Sequence, residues 1–256
     1  MHQDYRPASD LLNERVVLVT GAGDGIGRAA ALAFAAHGAT VVLLGKTVSK
    51  LEEAYDAIED AGWPTPAIYP MHLEGAVGHD YAELAAAMDS NFGRLDGILH
   101  NAASLPYLSR IKDYEPEDWL RVMQVNLNAP FFLTQACLPL LQRSHDARVL
   151  FTTDEVGQAG KAFWGAYGVS KYGIEGLTRI LAAELENTSV RVNCIDPGPT
   201  RTALRKRIFP GEDNASLKTP DALAPLYLWA MGPDSRSTNG QRLSWQERQH
   251  IGGDEA

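Results

Sequence analysis

Two groupings of residues in this chain could do chemistry together. Tyr167-Gly168-Val169-Ser170-Lys171 sets a phenol and an ammonium four residues apart, on one face if the segment is helical. A phenol has an ordinary pKa of about 10, so only about one in a thousand is ionised at neutral pH. A cation beside it favours the phenolate. A tyrosine tuned in this way can give or take a carbonyl proton while hydride moves to or from a nicotinamide. Such a pair is common by chance, and it gains force from what precedes it. The second grouping is Thr20-Gly21-Ala22-Gly23-Asp24-Gly25-Ile26-Gly27, between an apolar run and an Ala-rich stretch. Glycines let a pyrophosphate approach the backbone closely, and the N-terminus of a following helix offers free N–H groups and partial positive charge. The spacing is G-x3-G-x-G rather than G-x-G-x-x-G, because Ile26 occupies the intervening place, and no Lys-Ser/Thr pair follows to make a P-loop.

Adenosine selectivity is read at the end of the second strand, where an acid would bind the ribose 2′-hydroxyl and repel a 2′-phosphate. Here that end is Leu44-Gly45-Lys46-Thr47, with a cation and no acid. This favours NADP over NAD. Arg28 could add a second cation. Asp24 argues the other way, since a carboxylate beside a phosphate costs affinity unless it turns outward.

The elements that must position these residues follow from pattern. Short apolar runs at 15–20, 41–44, 97–100, 149–153 and 190–195 read as strands. Stretches of helical period lie between them. Residues 28–37 close at Gly38, a helix C-cap by type. Residues 50–61 carry Leu51, Ala54, Ile58 and Ala61 on one stripe, and residues 167–186 read as a long helix. Apolar strands without alternation fit a parallel sheet covered on both faces, and the alternation of strand and helix predicts an α/β, doubly wound Rossmann fold. With no linker or low-complexity segment, the 256 residues read as a single domain.

Composition narrows the partners. The net charge is −9, which argues against broad nucleic-acid or anionic-membrane binding. No apolar run reaches the ~20 residues of a membrane helix, and the polar start at 1–13 has no signal-peptide pattern. The chain therefore reads as cytoplasmic. Cys137 and Cys194 have no metal or disulfide spacing and read as core residues. His37 and His145 read as helix-end residues, and no metal site is expected.

Taken in order, Thr20-Gly21-x3-Gly25-Ile26-Gly27, His100-Asn101-Ala102-Ala103, Asn126 in Val125-Asn126-Leu127, Tyr167-x3-Lys171 and Asp196-Pro197-Gly198-Pro199-Thr200 span roughly residues 12 to 241. With them the chain resembles the short-chain dehydrogenase/reductase family, in its single-domain branch of bacterial oxidoreductases of unassigned substrate. The resemblance implies a sheet of about seven strands, with about 1–11 an N-terminal extension, about 201–220 a substrate-covering loop and about 245–256 a polar, frayed tail. It implies an enzyme interconverting a small-molecule carbonyl and an alcohol. Tyr167 would be the acid/base, Lys171 would lower its pKa and hold the nicotinamide ribose, and Asn126 would kink a helix and anchor a proton-relay water. Asn101 would lie beside the adenosine ribose, with Ala102 and Ala103 at the cofactor. Pro197, Gly198 and Thr200 would meet the nicotinamide end. Gly21, Gly23, Asp24, Gly25, Ile26, Gly27, Lys46, His72 and Leu73 complete the expected cofactor contacts. A homodimer or homotetramer is implied as well.

The sequence also departs from the family. Its serine, thirteen places before the tyrosine, is here Asp154 within Phe151-Thr152-Thr153-Asp154-Glu155. A serine donates to a developing alkoxide, whereas an ionised aspartate only accepts, and its charge opposes Lys171 at Tyr167. Thr153 could serve only with a shift of register. The usual Asn-Ala-Gly ends in Ala103, and His72 stands for an adenine-contacting aspartate. Three readings follow: a carbonyl reductase, a dinucleotide-binding sensor or scaffold with weak catalysis, and an enzyme in which Asp154 is itself a base. Arg205-Lys206-Arg207 could receive an anionic group or form a solvated face, and Phe163 and Trp164 could wall an apolar pocket or pack in the core.

Overall fold

The computed structural model describes residues 4–245. The chain runs β1 (Val16–Thr20), α1 (Gly25–Ala36), β2 (Thr40–Gly45), α2 (Val48–Asp60), β3 (Ala67–Pro70), α3 (Gly78–Phe92), β4 (Gly97–His100), α4 (Pro116–Met123), α5 (Ala129–Arg143), β5 (Ala147–Thr152), α6 (Gly165–Glu184), β6 (Val190–Asp196), α7 (Ala203–Ile208), α8 (Ala224–Met231) and β7 (Arg242–Ser244). The seven strands form one parallel sheet in the order β3-β2-β1-β4-β5-β6-β7. This is the doubly wound Rossmann α/β fold. The order reverses beside β1, which opens a crevice at the carboxyl ends of β1 and β4.

The uninterrupted apolar strands are explained by the two layers that cover them. On one face Leu18, Val42 and Val192 pack with α3, α5 and α6 through Leu84, Leu133, Cys137 and Ile174. On the other, Val17, Val19 and Leu43 pack with α1, α2 and α8 through Phe34, Leu51 and Tyr227. Both cysteines are buried and free. The 1–11 segment is docked over its described part: Tyr5 and Leu11 pack on the second layer, and the Tyr5 hydroxyl donates to Asp234 at 2.7 Å. Of the polar tail, only Trp245 belongs to the described residues.

A charged cluster lies at the amino ends of β1 and β5. Arg148 is fully buried and donates to Asp146, Ser235 and the Gly232 carbonyl. Arg15 and Arg236 also pair with Asp146. Burial alone would raise the Asp146 pKa, but the hydrogen bonds of Arg15 and Arg236 and the charge of Arg148 overcome it and hold the carboxyl at about 2. Among the described residues no helix is long and apolar enough to cross a membrane.

Candidate active site

A cavity of about 790 Å³ lies along the carboxyl ends of the strands, where ligands of this architecture bind. One end of it is formed by the glycine loop. Gly21 and Gly25 have φ of +68° and +52°, values that L side chains rarely adopt. A Cβ on Gly27 would lie 2.3 Å from the Gly21 carbonyl oxygen and 2.6 Å from Asn101 Nδ2. Gly27 therefore sits behind the wall and presses the loop against the β4 end. Gly25 and Ile26 of the first turn of α1 line the groove in front, a helix N-terminus of the kind that receives phosphate.

Asp24 lines the cavity beside the glycine loop, but its carboxylate is engaged. It caps α1 by accepting from the Gly25 N–H at 2.7 Å and pairs with Lys50. The Lys50 hydrogen bond and the Gly25 N–H hold its carboxyl below the ordinary range against a modest burial cost. Lys46, Thr47, Lys50, His72 and Leu73 line the same end of the cavity. Arg28 does not. It lines a separate hollow with Arg201, Lys206 and Asp221, so the second cation beside Lys46 is Lys50. Sequence reasoning missed Lys50, although its place four residues after Lys46, in the first turn of α2, was a usable signal.

Thr20 Oγ1 accepts from the Asn101 and Ala102 N–H groups at 3.0 and 3.1 Å, which fixes the 101–103 turn along the cavity. His100 just before it is structural. Burial holds it neutral, down to about 3, stacked on Phe151 and bonded to Thr134. Asn126 is buried behind the wall in a π-helical turn, Gln124–Asn128, between α4 and α5. Its Oδ1 accepts from Ser104 N–H at 2.6 Å, and its Nδ2 donates to the Ser104 carbonyl at 2.9 Å and to Ser170 Oγ at 3.1 Å. The turn pins α6 to the 101–104 segment. Pro197, Gly198 and Thr200 line the far end of the cavity, and Asp196 accepts from Gly198 N–H at 2.8 Å.

At that far end Asp154, Tyr167 and Lys171 meet. The Tyr167 hydroxyl donates to Asp154 Oδ2 at 3.3 Å. The other carboxylate oxygen accepts from the Val156 N–H at 3.2 Å, which opens a short 3₁₀ turn. Lys171 Nζ donates to the Thr152 carbonyl at 2.7 Å and lies 5.2 Å from the Tyr167 ring centroid. Burial lowers the Lys171 pKa to about 8. Tyr167 feels the Asp154 charge that the sequence placed beside it. Burial, then the Asp154 charge and hydrogen bond, raise its pKa well above the ordinary value, against the lowering effect of the Arg205 charge. The Lys171 ammonium faces a backbone carbonyl, while the phenol faces a carboxylate. Thr153 is no substitute for a serine, because its hydroxyl is buried and donates to Glu175 at 3.1 Å.

The expected covering loop contains a short helix. Thr202 caps α7 through the Arg205 N–H. The three basic residues point three ways. Arg205 forks onto Glu212 with two 2.7 Å bonds and stacks on Phe209 at 4.1 Å. Lys206 lines the second hollow. Arg207 donates to the Leu105 carbonyl at 2.7 Å. Trp164 walls the cavity, 5.6 Å from Tyr167 and 6.1 Å from Phe209. Phe163 is exposed beneath Arg110. Leu105, Leu204 and Ile208 complete an apolar wall, which only the three-dimensional fold assembles.

A crevice at the strand-order reversal, a glycine loop with a helix behind it, and a Tyr–Lys pair at the far end describe a class of dinucleotide-binding dehydrogenases. The chain belongs to the short-chain dehydrogenase family, whose model matches residues 15–213. It is similar to the oxidoreductase YciK of Escherichia coli K12, 46% identical over 242 residues that cover 94% of this chain and 96% of that one. Its fold matches a solved short chain dehydrogenase of Shigella flexneri 2a complexed with NADP, with TM-score 0.91 and 45% identity over 94% of this chain and all of that one. It also matches one of E. coli CFT073 complexed with NADPH, with TM-score 0.92 and 46% identity over the same shares.

Proposed function

We propose that this protein is an NADP(H)-dependent oxidoreductase that interconverts a small-molecule carbonyl and an alcohol. The observation that carries the reading is the single cavity joining the glycine loop and Lys46 at one end to Tyr167 and Lys171 at the other. The glycines fit a pyrophosphate, and Lys46 suits a 2′-phosphate, while Lys50 beside it neutralises the Asp24 carboxylate. The NADP and NADPH complexes of the two similar structures support the same cofactor. When bound, NADPH supplies the hydride. Lys171 holds the nicotinamide ribose, Tyr167 keeps the proton that a reduced oxygen needs, and Asn126 holds the 104 segment and α6 in register behind them. The protein acts as one domain, as a homodimer or homotetramer, in the cytoplasm.

Asp154 sets the rate. Hydride addition to a ketone creates an oxyanion, and a carboxylate beside it repels that charge where a serine would donate to it. Loss of one oxyanion donor costs about 2.7–4 kcal/mol. Asp154→Ser should therefore raise NADPH-dependent carbonyl reduction on the order of 10²-fold in kcat, measured by NADPH consumption. If the variant loses activity, Asp154 is itself the base and Tyr167 is misassigned. The same carboxylate favours a second reading, a dinucleotide-binding sensor or scaffold. NADPH binding without turnover in both the natural protein and Asp154→Ser would support that reading and overturn the first.

A further inference from the structure

We infer that the site also reduces protonated carbon–nitrogen double bonds, and that Asp154 is the residue that recognises the iminium cation. The inference rests on the NADP(H)-dependent reading above and extends it to a second substrate class.

The local charge balance carries the argument. Asp154 lines the cavity, and its two oxygens take one N–H and the Tyr167 hydroxyl. It belongs to no ion pair among the described residues, while the nearby cations are turned to other partners, Arg207 to the Leu105 carbonyl. Lys161 pairs with Glu155 and Arg205 with Glu212. Arg242 is shared between Glu175 and Asp196, and Lys171 is turned to the Thr152 carbonyl. The reacting end of the cavity thus presents a carboxylate with no direct ion-pair partner, on which the Lys171 and Arg205 charges act only from a distance, against an aromatic and aliphatic wall of Trp164, Phe209, Leu105 and Ile208. An anion in a partly desolvated pocket attracts a cation strongly and opposes an oxyanion equally strongly.

Asp154 also touches the Tyr167 hydroxyl, the group that meets the reacting heteroatom. The complementary charge therefore belongs on that heteroatom and not on a distant part of the substrate. A protonated imine has it there. In the step, hydride leaves the reduced nicotinamide with its electron pair and bonds to the iminium carbon. The C=N π pair becomes the lone pair of a neutral amine, and the nicotinamide takes the positive charge. The nitrogen already carries its proton, so no acid is consumed and no oxyanion forms. Tyr167, held as a neutral phenol, serves here as a donor that orients Asp154. For a ketone Asp154 is a defect, whereas for an iminium it is the stabilising group.

The test compares dihydroisoquinoline with the similarly sized ketone tetralone at neutral pH, each with NADPH. It adds a binding measurement by calorimetry with tetrahydroisoquinoline, a cation, and isochroman, its neutral oxygen analogue. NADPH binding is titrated on the same preparation. The natural protein should reduce dihydroisoquinoline with the higher kcat/KM and bind tetrahydroisoquinoline at least tenfold more tightly than isochroman. Asp154→Asn keeps the size and the acceptor for Val156. It should erase the binding preference and lower imine reduction on the order of 10²-fold, and Asp154→Ser should invert the preference toward tetralone. Equal binding of the two bicyclic ligands, or imine reduction unchanged in Asp154→Asn, overturns the inference. If NADPH is bound and tetralone is reduced in those cases, the carbonyl function stands without it. Failure to bind NADPH at all overturns both.

Discussion

Lys46 and Lys171 do different work, and solution conditions should separate them. Lys46 lines the glycine-loop end of the cavity in a protein whose net charge is −9. A charge-assisted hydrogen bond to phosphate contributes about 1.5–3 kcal/mol. Lys46→Ala should therefore weaken NADPH binding about tenfold or more and leave NADH nearly unchanged. Fluorescence titration checks this, and equal losses would remove Lys46 from phosphate recognition. Lys171 is buried, and burial has brought its pKa down to about 8. Its ammonium is present below that value and lost as pH rises through it. NADPH affinity should then fall as pH rises through about 8, and Lys171→Met should flatten the profile. Asp154 is the residue where sequence reasoning went furthest. Thirteen places before a tyrosine on a helix gave its identity, and the 3.3 Å contact with Tyr167 is where the fold puts it. The state of Tyr167 was not legible in the same way. A Tyr-x3-Lys spacing says the two side chains share a helix face, but not that Thr152 captures the ammonium.

At the scale of elements, the glycine loop was readable because each glycine answers a local demand. Gly27 gives the most direct test. A Cβ there meets the Gly21 carbonyl oxygen and Asn101 Nδ2, both well inside contact distance. Gly27→Ala should force the loop away from the β4 end, cost about 1–3 kcal/mol of stability as overpacking does, and reduce NADPH affinity more than tenfold. Unfolding by urea alongside NADPH titration separates the two losses. The strands and helices bearing the core were legible from their periods. β3 and β7 were not read from pattern, because β3 is only partly buried, with burial shared along Ala67–Pro70, and β7 has three residues, Arg242–Ser244. The π-helical turn at Asn126 leaves no mark in hydrophobic period. Nor does the placement of Phe209 and Glu212, which depends on how the cover folds back on Arg205.

Across the whole molecule, the two ends of the sheet are specialised in opposite ways. The carboxyl ends of the strands hold the cavity. The amino ends hold Arg15, Asp146, Arg148 and Asp96, most of them with almost no exposure. Asp146 titrates at about 2 in the fold against an ordinary value of about 3.9. Its contribution is complete above about pH 4 and is lost as pH falls toward 2, amounting to about 2–3 kcal/mol. Acid unfolding should therefore steepen in that range. Arg148→Met should destabilise the protein by about 3–5 kcal/mol, because it leaves part of a buried carboxylate uncompensated. Denaturant midpoints measured across the acid range would check both. None of this network was visible in sequence, since its members lie at the ends of different strands and meet only once the sheet has formed.

The internal bracing of the segment around α7 has a calorimetric consequence. Arg205 is tied to Glu212 and stacked on Phe209 within the same segment, and Thr200 bridges to Lys218 at its base. A segment that brings its own order to the cavity closes on a ligand as a preformed piece. It has little conformational entropy left to lose and little new apolar area to bury. Ligand binding here should then show a small negative heat-capacity change, unlike the large one that accompanies a loop folding onto its substrate.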